Sequence, residues 1–186
     1  MPQLTPLDQL IINFDQGLRT LFGPPLGTGR VNPAQTAPDA QLTEAEKRLS
    51  ARLMRVNHAG EVSAQALYQG QALTAHTAAV RDNMKQSALE ENDHLVWCQS
   101  RISELDGHTS WLNPLWYAGS LTLGTMAGAV GDQWSLGFVA ETERQVIKHL
   151  EGHLQHLPAQ DLKSQAILEQ MKEDEGHHAT TAIASG

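Results

Sequence analysis

The chain has 186 residues, of which 40% are hydrophobic and 5% aromatic, a length that suits one domain with a sizeable core. Its 13 basic and 21 acidic residues leave a formal charge of -8, so nothing in the charge supports a nucleic-acid partner. The single cysteine, Cys98, excludes an intrachain disulfide, and the Ala-, Leu-, Gln- and Glu-rich composition favours an all-α protein.

The N-terminus carries Asp8 and Asp15 and lacks a basic start followed by an apolar run, so it does not read as a signal or transit peptide. Residues 5–22 are expected to form an amphipathic helix, with Thr5 as its cap and Pro6 at its first position. Leu7, Leu10, Ile11, Phe14, Leu18, Leu21 and Phe22 recur at helical spacing, which suits either a packing arm or a helix lying on a membrane surface. Gly23-Pro24-Pro25 stops it, and residues 23–41 read as a Pro/Gly-rich linker. Residues 1–42 are therefore set apart from a bundle domain at 43–186.

Thr43-Glu44-Ala45-Glu46 is a capping-box pattern that opens a helix to about residue 75. A second runs from 78 to Leu105, closed by Asp106-Gly107. Residues 107–131 contain no Asp, Glu, Lys or Arg, and Asn113-Pro114 starts an apolar helix there. Gly119, Gly124 and Gly128 argue against a membrane span. The expectation is a crossover that packs on the bundle or dips into a membrane surface; an ordinary buried crossover is the alternative. Asp132 is expected to cap the next helix, to about Leu157, and Pro158 to mark a turn before a last helix at 159–182.

Two helical segments carry Glu-x-x-His: Glu91 with His94, and Glu175 with His178. Positions i and i+3 share a helix face, so each pair can address one ion. Glu61 precedes Glu91, and Glu143 precedes Glu175, at nearly equal distances with turns at the midpoints, His76 and residue 159. Each glutamate then lies about 22 Å along its helix from the turn, so both hairpins present ligands at one depth. One Glu from each of two helices and Glu-x-x-His from two others is the ligand pattern of a ferritin-like antiparallel four-helix bundle. The four glutamates also fall on apolar stripes, where carboxylates without partners are costly and divalent cations offset the cost. Oxygen and imidazole donors suit iron or manganese.

Glu90 and Asp174, each beside a candidate ligand, either orient a histidine across the bundle or face solvent. Tyr68, His149 and His153 are candidates for touching substrate or relaying protons, against the plainer reading as packed or exposed helix residues. Asp174 with His177 and Glu90 with His94 offer competing registers; Glu141, grouped with Gln145 and Lys148, falls on a polar side.

Arg55-Val56-Asn57-His58-Ala59-Gly60-Glu61, with Ala64, Tyr68, Gly70 and Gln71, resembles the first metal-helix motif of the demethoxyubiquinol hydroxylases of ubiquinone biosynthesis, and the resemblance covers residues 43–182. It implies a membrane-bound di-iron monooxygenase that hydroxylates a polyprenyl benzoquinol with O2. Glu61, Glu91, His94, Glu143, Glu175 and His178 would hold two iron ions, and His149 would be catalytic. Leu150 stands where the family often has a tyrosine, a departure from the family's pattern. The resemblance further implies peripheral attachment to the cytoplasmic face of a bacterial inner membrane and contact with other ubiquinone-biosynthesis proteins; homo-oligomerisation is left open. The rival readings are an iron-oxidising or peroxide-reducing ferritin-like protein, a metal-free structural bundle, and a tRNA hydroxylase, which the acidic charge disfavours.

Overall fold

The computed structural model describes residues 5–23 and 26–186. They form α1 (Pro6–Phe22), α2 (Glu44–Thr74), α3 (Ala78–Glu104), α4 (Asn113–Val130), α5 (Asp132–His156) and α6 (Leu162–Ser185), with a 3-10 turn at Pro33–Gln35. No strand occurs among the described residues. Pro24 and Pro25, part of the expected stop after α1, lie outside them.

Local chemistry sets most boundaries as expected. Thr5 with Asp8 and Thr43 with Glu46 make complete capping boxes, and Thr77 caps α3 by accepting from the Val80 N–H. Three details differ. Asp132 does not cap α5, which follows Gly131 at φ 140°. Its carboxylate instead accepts from the His76 and Thr77 N–H groups, 2.9 Å each, and so closes the α2–α3 turn. The last helix begins at Leu162 rather than 159, because Asp161 is its cap and accepts from the Ser164 N–H. Asp106, not Gly107, takes the left-handed conformation after α3, at φ 56°. At Gly107 a Cβ would sit 3.1 Å from Ala51 and Ile102, a tight fit that favours glycine.

Helices α2–α3 and α5–α6 are two antiparallel hairpins that make the four-helix bundle, and α4 crosses between them, lying along α2. The α2–α4 contact is close because both surfaces are small. A Cβ on Gly124 would run into the Leu67 carbonyl, and one on Gly128 into Thr74. The outer face of α4 stays exposed, with Leu115, Trp116, Leu123 and Met126 on it. Among the described residues, no helix is long and apolar enough to cross a membrane.

The bundle interior has two apolar clusters. One contains Met54, Trp97, Cys98, Ile102, Leu150, Ile167, Leu168 and Met171; the other contains Tyr68, Met84, Ala88, Leu136, Val139 and Ala182. On every bundle helix the candidate ligands lie in sequence between the two clusters. Six potential ligands are thus enclosed above and below by apolar side chains.

Candidate metal centre

Glu61 comes from α2, Glu91 and His94 from α3, Glu143 from α5, and Glu175 and His178 from α6. None of the six is more than 6% exposed. Their donor atoms form two groups, each within 4.8 Å: Glu61, Glu91, His94 and Glu175, and Glu91, Glu143, Glu175 and His178. Glu91 and Glu175 belong to both, so they stand between two potential ion positions, each with its own Glu and His.

Both imidazoles turn Nδ1 inward. His94 Nδ1 lies 3.0 Å from Glu91 and 3.4 Å from Glu61 and Glu175. His178 Nδ1 lies 3.2 Å from Glu91 and Glu175. Their outer nitrogens are fixed across the bundle: His94 Nε2 is 2.9 Å from Asp174, and His178 Nε2 is 2.8 Å from Glu90. An Nε2–H donating to a carboxylate leaves the Nδ1 lone pair free for an ion. Of the two readings open for Glu90 and Asp174, the orienting one is what the geometry displays. His177 and Glu141, the competing residues, are exposed.

The donor set fits divalent cations. Glu61 Oε2, Glu91 Oε1 and Glu143 Oε2 are buried without a well-formed hydrogen bond; an imidazole Nδ1 stands 3.4 Å from the first and 3.2 Å from the second, and carboxylates so placed are costly unless something positive approaches them. Burial, then repulsion from Glu91 and from Glu175 respectively, pushes Glu61 and Glu143 well above the usual carboxylate range. Burial opposes charge on the histidines too, yet Glu91 pulls His94 well up, and Glu175 with Glu91 holds His178 at about 12. Protons are one way to balance this charge; two divalent ions are another, with iron or manganese suited to mixed oxygen and imidazole donors.

Tyr68 joins the cluster, since its hydroxyl donates to Glu143. His149 does not touch the six donors. It is exposed on α5 and lines a cavity of about 330 Å³ between α2 and α5, whose wall includes Glu61 and Glu175. Its ring packs on His153, with 4.0 Å between centroids, and His153 Nδ1 donates to Asn57 Oδ1 at 2.8 Å. Burial, then the neighbouring His149 and His156, lowers His153 to about 4, so it is neutral near neutral pH. A second cavity, about 880 Å³, lies between α1 and the α2–α3 hairpin and reaches Tyr68. The segment before α2 contributes contacts that no sequence motif announces: Thr28 and Arg30 reach the carboxylates of Asp93 and Asp174.

A helical bundle that buries paired Glu-x-x-His motifs and two further glutamates at one level defines the class: a ferritin-like fold with a carboxylate–histidine cluster compatible with a di-iron site. In line with that fold, a solved dodecameric thioferritin from Bacteroides fragilis superposes with a TM-score of 0.62 at 19% identity, covering 81% of this chain and 88% of that one. The family described as Ubiquinone biosynthesis protein COQ7 matches residues 48–186, and the chain belongs to it. A 3-demethoxyubiquinol 3-hydroxylase of Nitrosococcus oceani is 60% identical over 184 residues, 99% of this chain and 86% of that protein. Proteins of the same name from Nitrosomonas europaea and Acinetobacter baumannii are 58% and 56% identical, covering 97% and 100% of this chain and 86% and 88% of theirs.

Proposed function

We infer that the protein is a 3-demethoxyubiquinol 3-hydroxylase, a monooxygenase that inserts one oxygen atom into the ring of a polyprenyl benzoquinol during ubiquinone biosynthesis. The observation that carries the reading is the convergence of six buried donors in two groups sharing Glu91 and Glu175, in a chain 56–60% identical to hydroxylases of that name. We propose two iron ions and O2 as the cofactor and co-substrate. Reduced iron held there would supply the reductive activation of O2, one atom entering the ring and the other leaving as water with two protons and, in a single turnover, two electrons from the two ferrous ions.

The chain's own groups have distinct roles in this reading. Glu91 and Glu175, common to both groups, would serve both ions; Glu61 with His94 and Glu143 with His178 would complete the two positions. Asp174 and Glu90 fix the imidazoles, and Tyr68 holds Glu143. The two apolar clusters exclude water. The quinol ring fits the cavity between α2 and α5, because Glu61 and Glu175 form its wall. His149, on the same wall and positioned by His153, is the group to hold or pass a proton at a ring hydroxyl.

The reading includes docking to a membrane surface, because a polyprenyl substrate is held in a bilayer. Support comes from the apolar faces of the adjacent helices α1 and α4, where Phe14 is 68% and Leu115 62% exposed. Location at the cytoplasmic face of the bacterial inner membrane, and contact with other proteins of the pathway, belong to the same proposal; the relatives are bacterial, which supports the bacterial setting alone.

The test is anaerobic loading with iron, then O2 and a short-chain demethoxyubiquinol, with mass analysis of the product. A gain of one oxygen that requires two irons per chain is expected. Two bound irons with no insertion would favour a ferritin-like iron or peroxide redox protein instead, and no bound metal would leave a structural bundle.

A further inference from the structure

The cluster has approximate two-fold internal symmetry, and one residue breaks it. On α3, Glu90 orients His178 and is itself held by Gln86, one turn earlier, at 2.8 Å. On α6, Asp174 orients His94 and is held by Gln170, also one turn earlier, at 3.1 Å. Asp174 alone of the two receives a further partner among the described contacts. The Arg30 guanidinium forks onto it, Nη1 to Oδ2 at 2.7 Å and Nη2 to Oδ1 at 3.0 Å. Two parallel bonds fix the plane of a carboxylate as one bond cannot. Oδ2, the oxygen that takes Arg30 Nη1, is the one that meets His94 Nε2.

Arg30 is in turn held by its surroundings. Its guanidinium lies 5.0 Å over the Trp97 ring, and Trp97 stands 5.4 Å from His94. The chain before it is tied down on α3. Asn92 Nδ2 donates to the Leu26 carbonyl at 2.8 Å, and the Thr28 N–H and hydroxyl donate to Asp93. A Cβ at Gly27 would collide with the Asp93 carboxylate and displace it from Thr28. After it, Ala34 is buried in the core with Ile167 and Leu168. Residues 26–34 therefore cross α3 and α6 as a strap outside the matched family region, which begins at residue 48.

We propose that Arg30 is a positioning residue for the His94 ion position, acting through Asp174, and that it makes the two ion positions unequal. The proposal rests on the metal reading above. The Arg30 side chain is 35% and that of Asp174 10% exposed, so solvent weakens the ion pair as a source of fold stability. Its consequence is orientation: a fixed Asp174 holds the His94 ring with Nδ1 towards Glu61, Glu91 and Glu175. Glu90, 30% exposed at its side chain, gives His178 a looser hold.

The experiment loads the full chain anaerobically with Co(II) and follows three readouts: ions per chain, the visible ligand-field spectrum, and the rate of removal by a chelator. Wild type is expected to bind two ions that leave in two resolved phases. Arg30→Ala should speed the slow phase by at least about tenfold, the lower end of the loss seen when such supporting residues are removed, and alter the spectrum. Arg30→Lys, with charge but no fork, should restore less than half of the difference. Thr28→Val loosens the strap at Asp93 without touching Arg30, so it should leave the slow phase intact; a matching loss there would make the strap merely structural and overturn the proposal. Unchanged stoichiometry, spectrum and release in Arg30→Ala would overturn it while leaving the di-metal reading standing. Failure of wild type to bind any ion would remove both.

Discussion

Tyr68 and Glu143, 75 positions apart, meet inside the bundle: the phenol donates to the glutamate, and the same ring stands edge-on to His178, 6.2 Å between centroids at 81°. One side chain from α2 thus fixes the carboxylate and flanks the imidazole of a single ion position. Replacing Tyr68 by Phe keeps the ring and removes the donor. Metal affinity at the Glu143–His178 position should fall about tenfold or more, while the His94 position is unchanged. Competition titration with a chromophoric chelator reads this directly. Uniform weakening at both positions would mean that Tyr68 acts through packing.

If Glu143 is a metal ligand, it should be a burden to the metal-free fold. Burial, then Glu175 and Glu91, raises Glu143, so its cost grows as the pH climbs above the ordinary carboxylate value and the proton is drawn off. Removing both members of the pair avoids leaving the phenol unsatisfied. The double variant Tyr68→Phe/Glu143→Leu should stabilise the metal-free protein by about 1–3 kcal/mol, more at pH 8 than at pH 5, and abolish binding at that position. Chemical denaturation at the two pH values measures it; a loss of stability would make the pair structural.

His58 offers a pH test away from the ligands. Burial lowers it to about 4, and the Asn113 amide lies 3.5 Å from its Nδ1. The unfolded chain takes its proton near 6.5. The stability it contributes is therefore fully present above pH 6.5 and is lost as the pH falls towards 4, by up to roughly 3 kcal/mol. Protonation would place a cation in the α2–α4 contact. His58→Gln should flatten the fall in melting temperature across that window, leaving the part due to His153, which shifts the same way. Parallel curves for variant and wild type would discount His58.

Placement of the ring between α2 and α5 has a steric test. Ala64 lines that cavity, whereas Leu73 lines the one beneath α1. Ala64→Leu should raise KM about tenfold or more at unchanged iron content, since one methylene in a small pocket is worth about 1–3 kcal/mol of discrimination and the substitution adds several carbons. Leu73→Phe should leave KM near wild type. The reverse ranking would move the substrate to the α1 cavity.

The ligand level was legible because it follows from arithmetic on helices. Glu61, Glu91, Glu143 and Glu175 share periodic faces, and hairpin turns at Ala75–Thr77 and 157–161 put them at one height. The stripes around them are buried as their spacing requires, from Met84 and Ala88 to Met171 and Ala182. Asp132 misled for a local reason. Any carboxylate at a helix start satisfies the capping pattern, and only tertiary placement shows that its N–H partners belong to His76 and Thr77. Arg30 left no trace, because its partner lies 144 residues away and a loop has no period to read. Glu90 and Asp174 were visible as residue types, yet solvent and histidine are indistinguishable partners until the cross-bundle register is known.

The outer faces of α1 and α4 carry the last prediction. Leu7, Ile11, Phe14, Leu18 and Phe22 point away from the bundle, although an arm made for packing would turn them in. Gly17 and Thr20 are the buried residues; a Cβ on Gly17 would press on the Tyr117 hydroxyl, and Leu21 packs against the cluster that contains Tyr117. Tyr117 belongs to α4, so the two helices are fixed side by side with their apolar residues outward. Trp116 and Leu123, 46% and 55% exposed, lie on that face and are not among the carboxylate–histidine donors. Replacing both by Asp puts two charges into whatever the face meets and leaves the interior untouched. The double variant should bind iron normally and sediment with liposomes at least tenfold less than wild type, as expected for burying two charges and losing two apolar anchors at an interface. Equal partitioning of the two proteins would show that this face does not touch lipid and is covered by protein instead.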